Sequence, residues 1–141
     1  MIWALLYHTR ITMSKKITNV CNDDFGGIST IEIMEFPLLF ETLCFMYGKP
    51  NARRFADECD LIYRVALGMT GKAYRISHGI ERGESVRKHL TNEQIELLNI
   101  IQLYDLGMLL GCPNYVERKI KLEWLKMKWI KNKYPSSEVN S

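Results

Sequence analysis

Residues 91–133 read TNEQIELLNIIQLYDLGMLLGCPNYVERKIKLEWLKMKWIKNK, and they carry the clearest helical pattern in the sequence. Thr91 and Gln94 have the spacing of a capping box, in which each side chain hydrogen-bonds the other residue's backbone N–H at a helix N-terminus. Gly111 and Pro113 end this helix, because neither residue favours a helix interior. The helix should bury one face, which is formed by Leu97, Ile101, Tyr104 and Met108 with Ile95 and Leu98 beside them.

A second helix is predicted to follow, from Asn114 to about Lys131. Asn114 and Glu117 also have the capping-box spacing, so the N-terminus of this helix is marked in the same way. Trp129 is harder to bury with the other apolar residues and is interpreted as a partner contact. The stripe that is predicted to face the core consists of Ile120, Trp124 and Met127.

Two more helices are predicted nearer the N-terminus. Pro37 is favourable at a first helical position, and a strongly apolar segment follows it until Gly48. Asn51 can cap the next helix, and Gly68 ends that helix as a left-handed C-terminal glycine. The buried face of that helix is predicted to contain Phe55, Cys59, Ile62 and Ala66.

These elements predict a mainly α fold, a single-domain helical bundle of about four helices. Residues 1–12 are interpreted as a non-native or flexible leader, residues 13–134 as the helical domain, and residues 135–141 as a flexible tail. Residues 70–85 are expected to form a glycine-punctuated connector. Residues 28–36 fit either a strand or a helix, and the pattern leaves both alternatives open.

The bulk composition is that of an ordinary globular chain. The 141 residues are 47% hydrophobic and 25% charged, and no apolar run reaches the roughly 18 residues that a membrane span requires. The four cysteines are widely spaced, which is untypical of zinc modules and small disulfide frameworks. We therefore expect no metal and no cofactor, and free thiols in a reducing, cytoplasmic compartment, at Cys21, Cys44, Cys59 and Cys112.

The junction between the last two helices resembles a helix-turn-helix. Gly107 would let the helices approach closely, while Leu110, Gly111 and Cys112 supply the apolar residue, glycine and apolar residue of such a turn. Glu117 departs from the pattern, which has an apolar residue at that position. An ordinary antiparallel helix pair fits the same residues, so both alternatives stay open.

Positive charge is concentrated in the last helix. The chain has a net charge of +3, whereas residues 117–133 contain seven Lys or Arg and two Glu, a net +5, so the rest of the chain carries −2. An anionic partner should meet this end first. The alternative is a solvated charged face. The predicted nucleic-acid-binding residues are Arg118, Lys119, Lys121, Lys126, Lys128 and Lys131.

No catalytic site is predicted, and we expect the chain not to be an enzyme. His78 and His89 have no cysteine or second histidine at the spacing of metal ligands. Residues 68–72, Gly-Met-Thr-Gly-Lys, have some features of a phosphate-binding loop but lack the glycine spacing of a P-loop.

Residues 67–73, Leu-Gly-Met-Thr-Gly-Lys-Ala, resemble a short motif of phage regulatory proteins of the Rha and antirepressor type. In those proteins a helix ends in a glycine, an apolar residue and Thr-Gly-Lys before a second helix continues. The upstream residues 54–58, Arg-Phe-Ala-Asp-Glu, are also similar to the end of an antirepressor N-terminal domain. The resemblance covers about twenty residues and implies a phage or prophage regulator that binds DNA or a repressor.

The sequence thus favours a small DNA-associated regulatory protein whose basic last helix faces phosphates. The rival interpretation is a non-enzymatic protein-binding inhibitor or adaptor with an exposed apolar helical face. No membrane partner is predicted, and the oligomeric state is left open. The rival surface is an apolar patch around Leu39, Phe40, Phe45 and Met46.

Overall fold

The computed structural model describes residues 30–48, 51–81 and 83–135. Within these ranges the chain forms six α-helices, one short 3₁₀ helix and no strand, so the predicted mainly α class is confirmed. The predicted leader, the tail after residue 135 and Cys21 lie outside the described residues. The helices are α1 (Thr30–Glu35), α2 (Pro37–Tyr47), α3 (Ala52–Leu67), α4 (Gly71–His78), α5 (Asn92–Met108) and α6 (Tyr115–Lys133), with the 3₁₀ helix (Val86–His89) between α4 and α5.

A single non-helical residue separates α1 from α2. Phe36 has φ −134° and ψ 59°, because the ring of the following proline crowds a residue in the helical conformation. Pro37 then begins α2, as its fixed φ predicts. The part of the undecided segment that is described is therefore helical from Thr30 to Glu35, and Phe36 is the non-helical residue that follows.

Packing divides the chain into two compact units. Of the described residues, the first unit contains residues 30–48, 51–59, 75–81 and 83–89, and the second contains residues 60–74 and 90–135. In the first unit, the rings of Phe40 and Phe55 meet edge to face with their centroids 5.5 Å apart. The side chains of Ile33, Phe36 and Leu39 are also fully buried in this unit.

A buried glutamate ties the later segment of the first unit to α1. Oε1 of Glu35 accepts a hydrogen bond from Nη2 of Arg75 at 2.9 Å and another from the backbone N–H of Val86 at 2.9 Å. The Nε of Arg87 donates to the backbone carbonyl of Glu35 at 3.1 Å. These charge-assisted bonds offset the cost of burying the carboxylate.

The turn between α3 and α4 is built from capping interactions. Gly68 has φ 82°, the left-handed conformation that glycine adopts at low cost, and it ends α3 as predicted. Oγ1 of Thr70 then accepts the backbone N–H of Ala73 at 3.2 Å and caps α4. The prediction of a continuous connector over residues 70–85 is therefore wrong, because this cap starts a helix that buries Tyr74.

In the second unit, α5 and α6 form an antiparallel hairpin. Both predicted N-caps are present, at Thr91 and at Asn114. Near the start of α5, Glu96 lies 3.0 Å from Nζ of Lys133 at the end of α6. At the opposite end of the hairpin, Asp105 pairs with Arg118. Helices of 17 and 19 residues that meet at both ends cannot cross steeply, so the pair does not have the geometry of a helix-turn-helix.

The packing of the hairpin differs in two further ways from the expectation. A Cβ at Gly107 would meet nothing within 4 Å, so this glycine is not required for a close helix approach. Of the predicted α5 face, Leu97 and Ile101 are buried but Tyr104 is exposed.

No helix among the described residues has both the length and the apolar character to cross a membrane.

Gly71→Ala should lower the free energy of unfolding by about 1–3 kcal/mol, the usual cost of overpacking. The added Cβ would lie 2.9 Å from Cε2 of the buried Tyr63 ring. Urea denaturation followed by circular dichroism measures the change. Gly107→Ala is the matched control, because open space surrounds it, and alanine should be neutral or stabilise by up to about 1 kcal/mol. Equal stabilisation by both substitutions would contradict the close packing at Gly71.

Candidate interaction surface

Arg118, which the sequence places first among the nucleic-acid-binding residues, is buried in the hairpin. Its side chain is 4% exposed, and its Nε lies 3.1 Å from Oδ1 of Asp105. Its Nη1 donates to the backbone carbonyls of Cys112 at 3.0 Å and Pro113 at 2.8 Å. The prediction that Arg118 faces phosphates is therefore wrong, because its guanidinium closes the turn between α5 and α6.

The five predicted lysines lie on α6 at the surface, but not on one face. Since successive residues are about 100° apart around a helix, Lys119 and Lys126 fall on one side, and Lys121 and Lys128 on the other. Lys119 and Lys126 are half-buried, whereas the remaining three lysines are exposed. Lys131 lies between the two pairs, towards the end of the helix.

Lys121 and Lys128 have contacts within α6. Nζ of Lys121 lies 3.5 Å from a carboxylate oxygen of Glu117, one turn earlier. Nζ of Lys128 lies 5.3 Å from the ring centroid of Trp124, in a cation–π arrangement. Positive charge is thus distributed around exposed apolar side chains rather than gathered into one basic face.

Between the two pairs of lysines runs a line of exposed apolar side chains, which we call the outer stripe. Its members follow one another at intervals of four, four, three and three residues, so neighbours along the line are close in space. Trp124 near the middle is 57% exposed and Ile120 is 65% exposed. The outer stripe consists of Val116, Ile120, Trp124, Met127 and Ile130.

The prediction that Ile120, Trp124 and Met127 face the core is wrong. The residue of α6 that is completely buried is Leu122, which lies about 160° around the helix from both Ile120 and Trp124. Leu125 and Trp129 lie on the same side as Leu122 and are half-buried. Helix α6 is therefore apolar on two nearly opposite faces, and the one that packs is the face that also carries Arg118.

Trp129 is half-buried. Its interpretation from the sequence as a partner contact stays a prediction. Nζ of Lys133 lies 4.6 Å from the centroid of its ring. Val116 and Ile130 also belong to the outer stripe, but they are not among the residues predicted from the sequence. Their spacing to Ile120 and Met127 was visible in the sequence as a second amphipathic pattern.

The rival apolar patch in α2 is not a continuous surface. Leu39 and Phe40 are buried in the first unit, whereas Phe45 is 88% exposed and Met46 is half-buried. The prediction of an exposed patch that includes Leu39 and Phe40 is therefore wrong, because these side chains belong to the core around Phe55.

The histidines and cysteines do not converge on one place. Nδ1 of His78 lies 2.9 Å from Oγ of Ser77, and Nε2 of His89 lies 3.1 Å from a carboxylate oxygen of Glu84. Among the described residues, no three His, Cys, Asp or Glu side chains are grouped closely enough to hold a metal ion. Among the described residues there are three cysteines, and they form no disulfide: Cys44, Cys59 and Cys112.

Hydrogen bonds at the open end of the hairpin shift two pKa values. The bond to Glu96 raises the pKa of Lys133, and the bonds to both carboxylate oxygens of Glu93 raise the pKa of the Tyr134 hydroxyl. A raised pKa means that the folded state favours the protonated group. The stabilisation that these contacts give is therefore present below the ordinary pKa values of the two groups and is lost as the pH rises through the folded-state values.

Comparison with known proteins gives no relative: no protein-family model, curated protein or solved structure matches the chain. The resemblance of residues 67–73 to phage regulators stays a prediction. The motif does form a helix end, a left-handed Gly68 and a capped second helix. Capping chemistry alone produces this arrangement, so the geometry does not bear on the family.

Arg118→Ala should lower the free energy of unfolding by about 3–5 kcal/mol, since it leaves the Asp105 carboxylate buried without its cation. Chemical denaturation measures the loss. Lys121→Ala is the matched control, because it removes a positive charge of the same helix from an exposed ion pair and should change stability by about 0.5 kcal/mol or less. A stable Arg118→Ala protein would mean that the buried pair does not hold the hairpin together.

Proposed function

We propose that this chain is a non-enzymatic protein-interaction module whose outer stripe binds an amphipathic segment of a partner. The observation that carries the proposal is the line of five large apolar side chains along the solvent side of α6. Apolar residues at helical spacing are the anchors with which a helix recognises another helix or a groove. Burial of each large side chain contributes about 1.5–3 kcal/mol.

Two glutamates favour a protein partner over a lipid surface. Glu123 lies between Ile120 and Met127 on the helix surface, three residues after the first and four before the second. Glu117 lies beside the start of the outer stripe. Carboxylates at these positions are costly to bury in hydrocarbon, whereas a protein partner can offer them a hydrogen-bond donor.

Selection from a random-peptide display library tests the proposal. The full chain is the target, and the double variant Ile120→Ser/Met127→Ser is used for counter-selection. The recovered peptides should be amphipathic and should bind this variant at least about tenfold more weakly than the unchanged chain, a loss of about 1.4 kcal/mol. Fluorescence anisotropy with labelled peptides measures the affinities.

Phe45→Ser/Ile76→Ser is the matched control, because it removes two apolar side chains of the first unit that are even more exposed than Ile120 and Met127. Peptide affinity should not change in this control, and both double variants should unfold within about 0.5 kcal/mol of the unchanged chain. If the recovered peptides lose affinity for the control variant instead, the docking surface is the region of Phe45 and the outer stripe is not the binding site.

A second candidate function is DNA binding by α6 in a phage-type regulator. It is supported by the exposed side chains of Lys121, Lys128 and Lys131 and by the resemblance of residues 67–73 to phage regulatory proteins. The charges on both sides of the outer stripe and the burial of Arg118 count against a groove-reading helix. The affinity would then come mainly from phosphate contacts.

Random duplex DNA separates this candidate from the first. DNA binding through α6 should weaken with salt, and Lys121→Ala/Lys128→Ala/Lys131→Ala should flatten the log–log salt dependence by about 0.9 for each phosphate that is no longer neutralised. Anisotropy of labelled DNA across a salt series measures both quantities. Lys72→Ala/Lys88→Ala serves as the control, because both lysines are exposed and lie outside α6. Absence of binding at low salt would remove this candidate.

A further inference from the structure

The outer stripe is bordered by lysines along both of its edges. Lys119 and Lys126 follow one edge, and Lys121 and Lys128 follow the other. These four lysines and the neighbouring Glu117 and Glu123 give the edges of the stripe a net charge of +2. Arg118 and Lys133 do not add to this excess, because Asp105 and Glu96 neutralise them.

This charge pattern disfavours a second copy of the chain as the occupant. In a two-fold dimer the same surface patch meets itself. Whether the two α6 helices ran parallel or antiparallel, a lysine edge of one copy would face a lysine edge of the other. Like charges placed opposite each other at an interface are destabilising.

We infer that the occupant of the outer stripe is an acidic amphipathic helix, an inference that rests on the proposed protein-binding function. Its apolar face would cover the stripe, and its carboxylates would lie against the two lysine edges. The stripe runs over 15 residues, from Val116 to Ile130, or about 21 Å along the helix. A partner helix of about four turns has the matching length.

Trp124 is the anchor of this interface. It lies near the middle of the stripe and is 57% exposed, and central tryptophans carry a large share of the energy of many interfaces. Lys128 lies against its ring, so a carboxylate that pairs with Lys128 would also help to shield the indole from water. The lysine edges would speed association with an acidic partner.

Two synthetic peptides of about 16 residues test the inference. Both have the same leucine face, but one carries glutamates and the other lysines along its edges. Anisotropy with the full chain should show that the glutamate peptide binds at least about tenfold more tightly. Lys119→Glu/Lys128→Glu, which reverses one charge on each edge, should abolish or invert this preference.

The matched control is Lys72→Glu/Lys88→Glu, which changes the net charge equally on exposed lysines of α4 and of the 3₁₀ helix. It should leave the preference for the glutamate peptide unchanged. Ile120→Ser/Met127→Ser should weaken binding of the glutamate peptide at least about tenfold. If the glutamate peptide binds this variant as tightly as it binds the unchanged chain, the binding is purely electrostatic and the inference is overturned.

Other outcomes separate the inference from the proposed function. If both peptides bind equally well and both need Ile120 and Met127, the docking function stands and the acidic partner is wrong. If neither peptide binds while library-selected peptides do, the acidic helix is again overturned alone. If no peptide of either kind binds, both proposals fail.

Two measurements without peptide test the remaining occupants. Sedimentation velocity that shows self-association, abolished in Ile120→Ser/Met127→Ser, would overturn the acidic helix in favour of a second copy. Co-sedimentation with phosphatidylserine vesicles, abolished in the same variant, would overturn it in favour of a lipid surface. The inference requires that the chain is monomeric and does not co-sediment with these vesicles.

Discussion

The guanidinium of Arg118 is held inside the turn of the α5–α6 hairpin by the Asp105 carboxylate and by the carbonyl oxygens of Cys112 and Pro113. A charge buried to this extent is tolerated only when it is paired and hydrogen-bonded. The pair therefore constrains how α6 can rotate about its own axis. Any rotation that brought Arg118 to solvent would leave the Asp105 carboxylate buried without its cation.

This constraint determines what the rest of α6 presents to solvent. Leu122 lies one turn after Arg118 and is buried with it, so the side chains on the opposite side of the helix must point outwards. That side carries Trp124 and the other members of the outer stripe. The exposed apolar line is thus a consequence of satisfying one buried charge, and the surrounding lysines make it a surface suited to an acidic partner.

The first unit also contains a buried carboxylate that pairs with an arginine, Glu35 with Arg75. Its described residues do not form a line of exposed apolar side chains like the outer stripe. Glu35 is buried and is bonded by Arg75 and by the N–H of Val86. These bonds hold residues 75–89 against α1 across a long separation in sequence. Its most exposed apolar side chain, Phe45, lies on α2, whose Leu39, Phe40 and Leu43 are in the core.

The sequence by itself determined four of the six described helices, α2, α3, α5 and α6, but it left α1 undecided and assigned α4 to a connector. The caps at Thr91 and Asn114, the proline at residue 37 and the glycine at residue 68 act locally, through the hydrogen bonds and backbone angles of the next few residues. The sequence could not determine which side of α6 is buried, because both sides show helical apolar spacing. Only the tertiary structure decided this, through the pairing of Arg118 with a carboxylate thirteen residues away. The same long-range contact removed Arg118 from the predicted site and exposed Ile120, Trp124 and Met127, since a helix cannot bury two opposite faces against one neighbour.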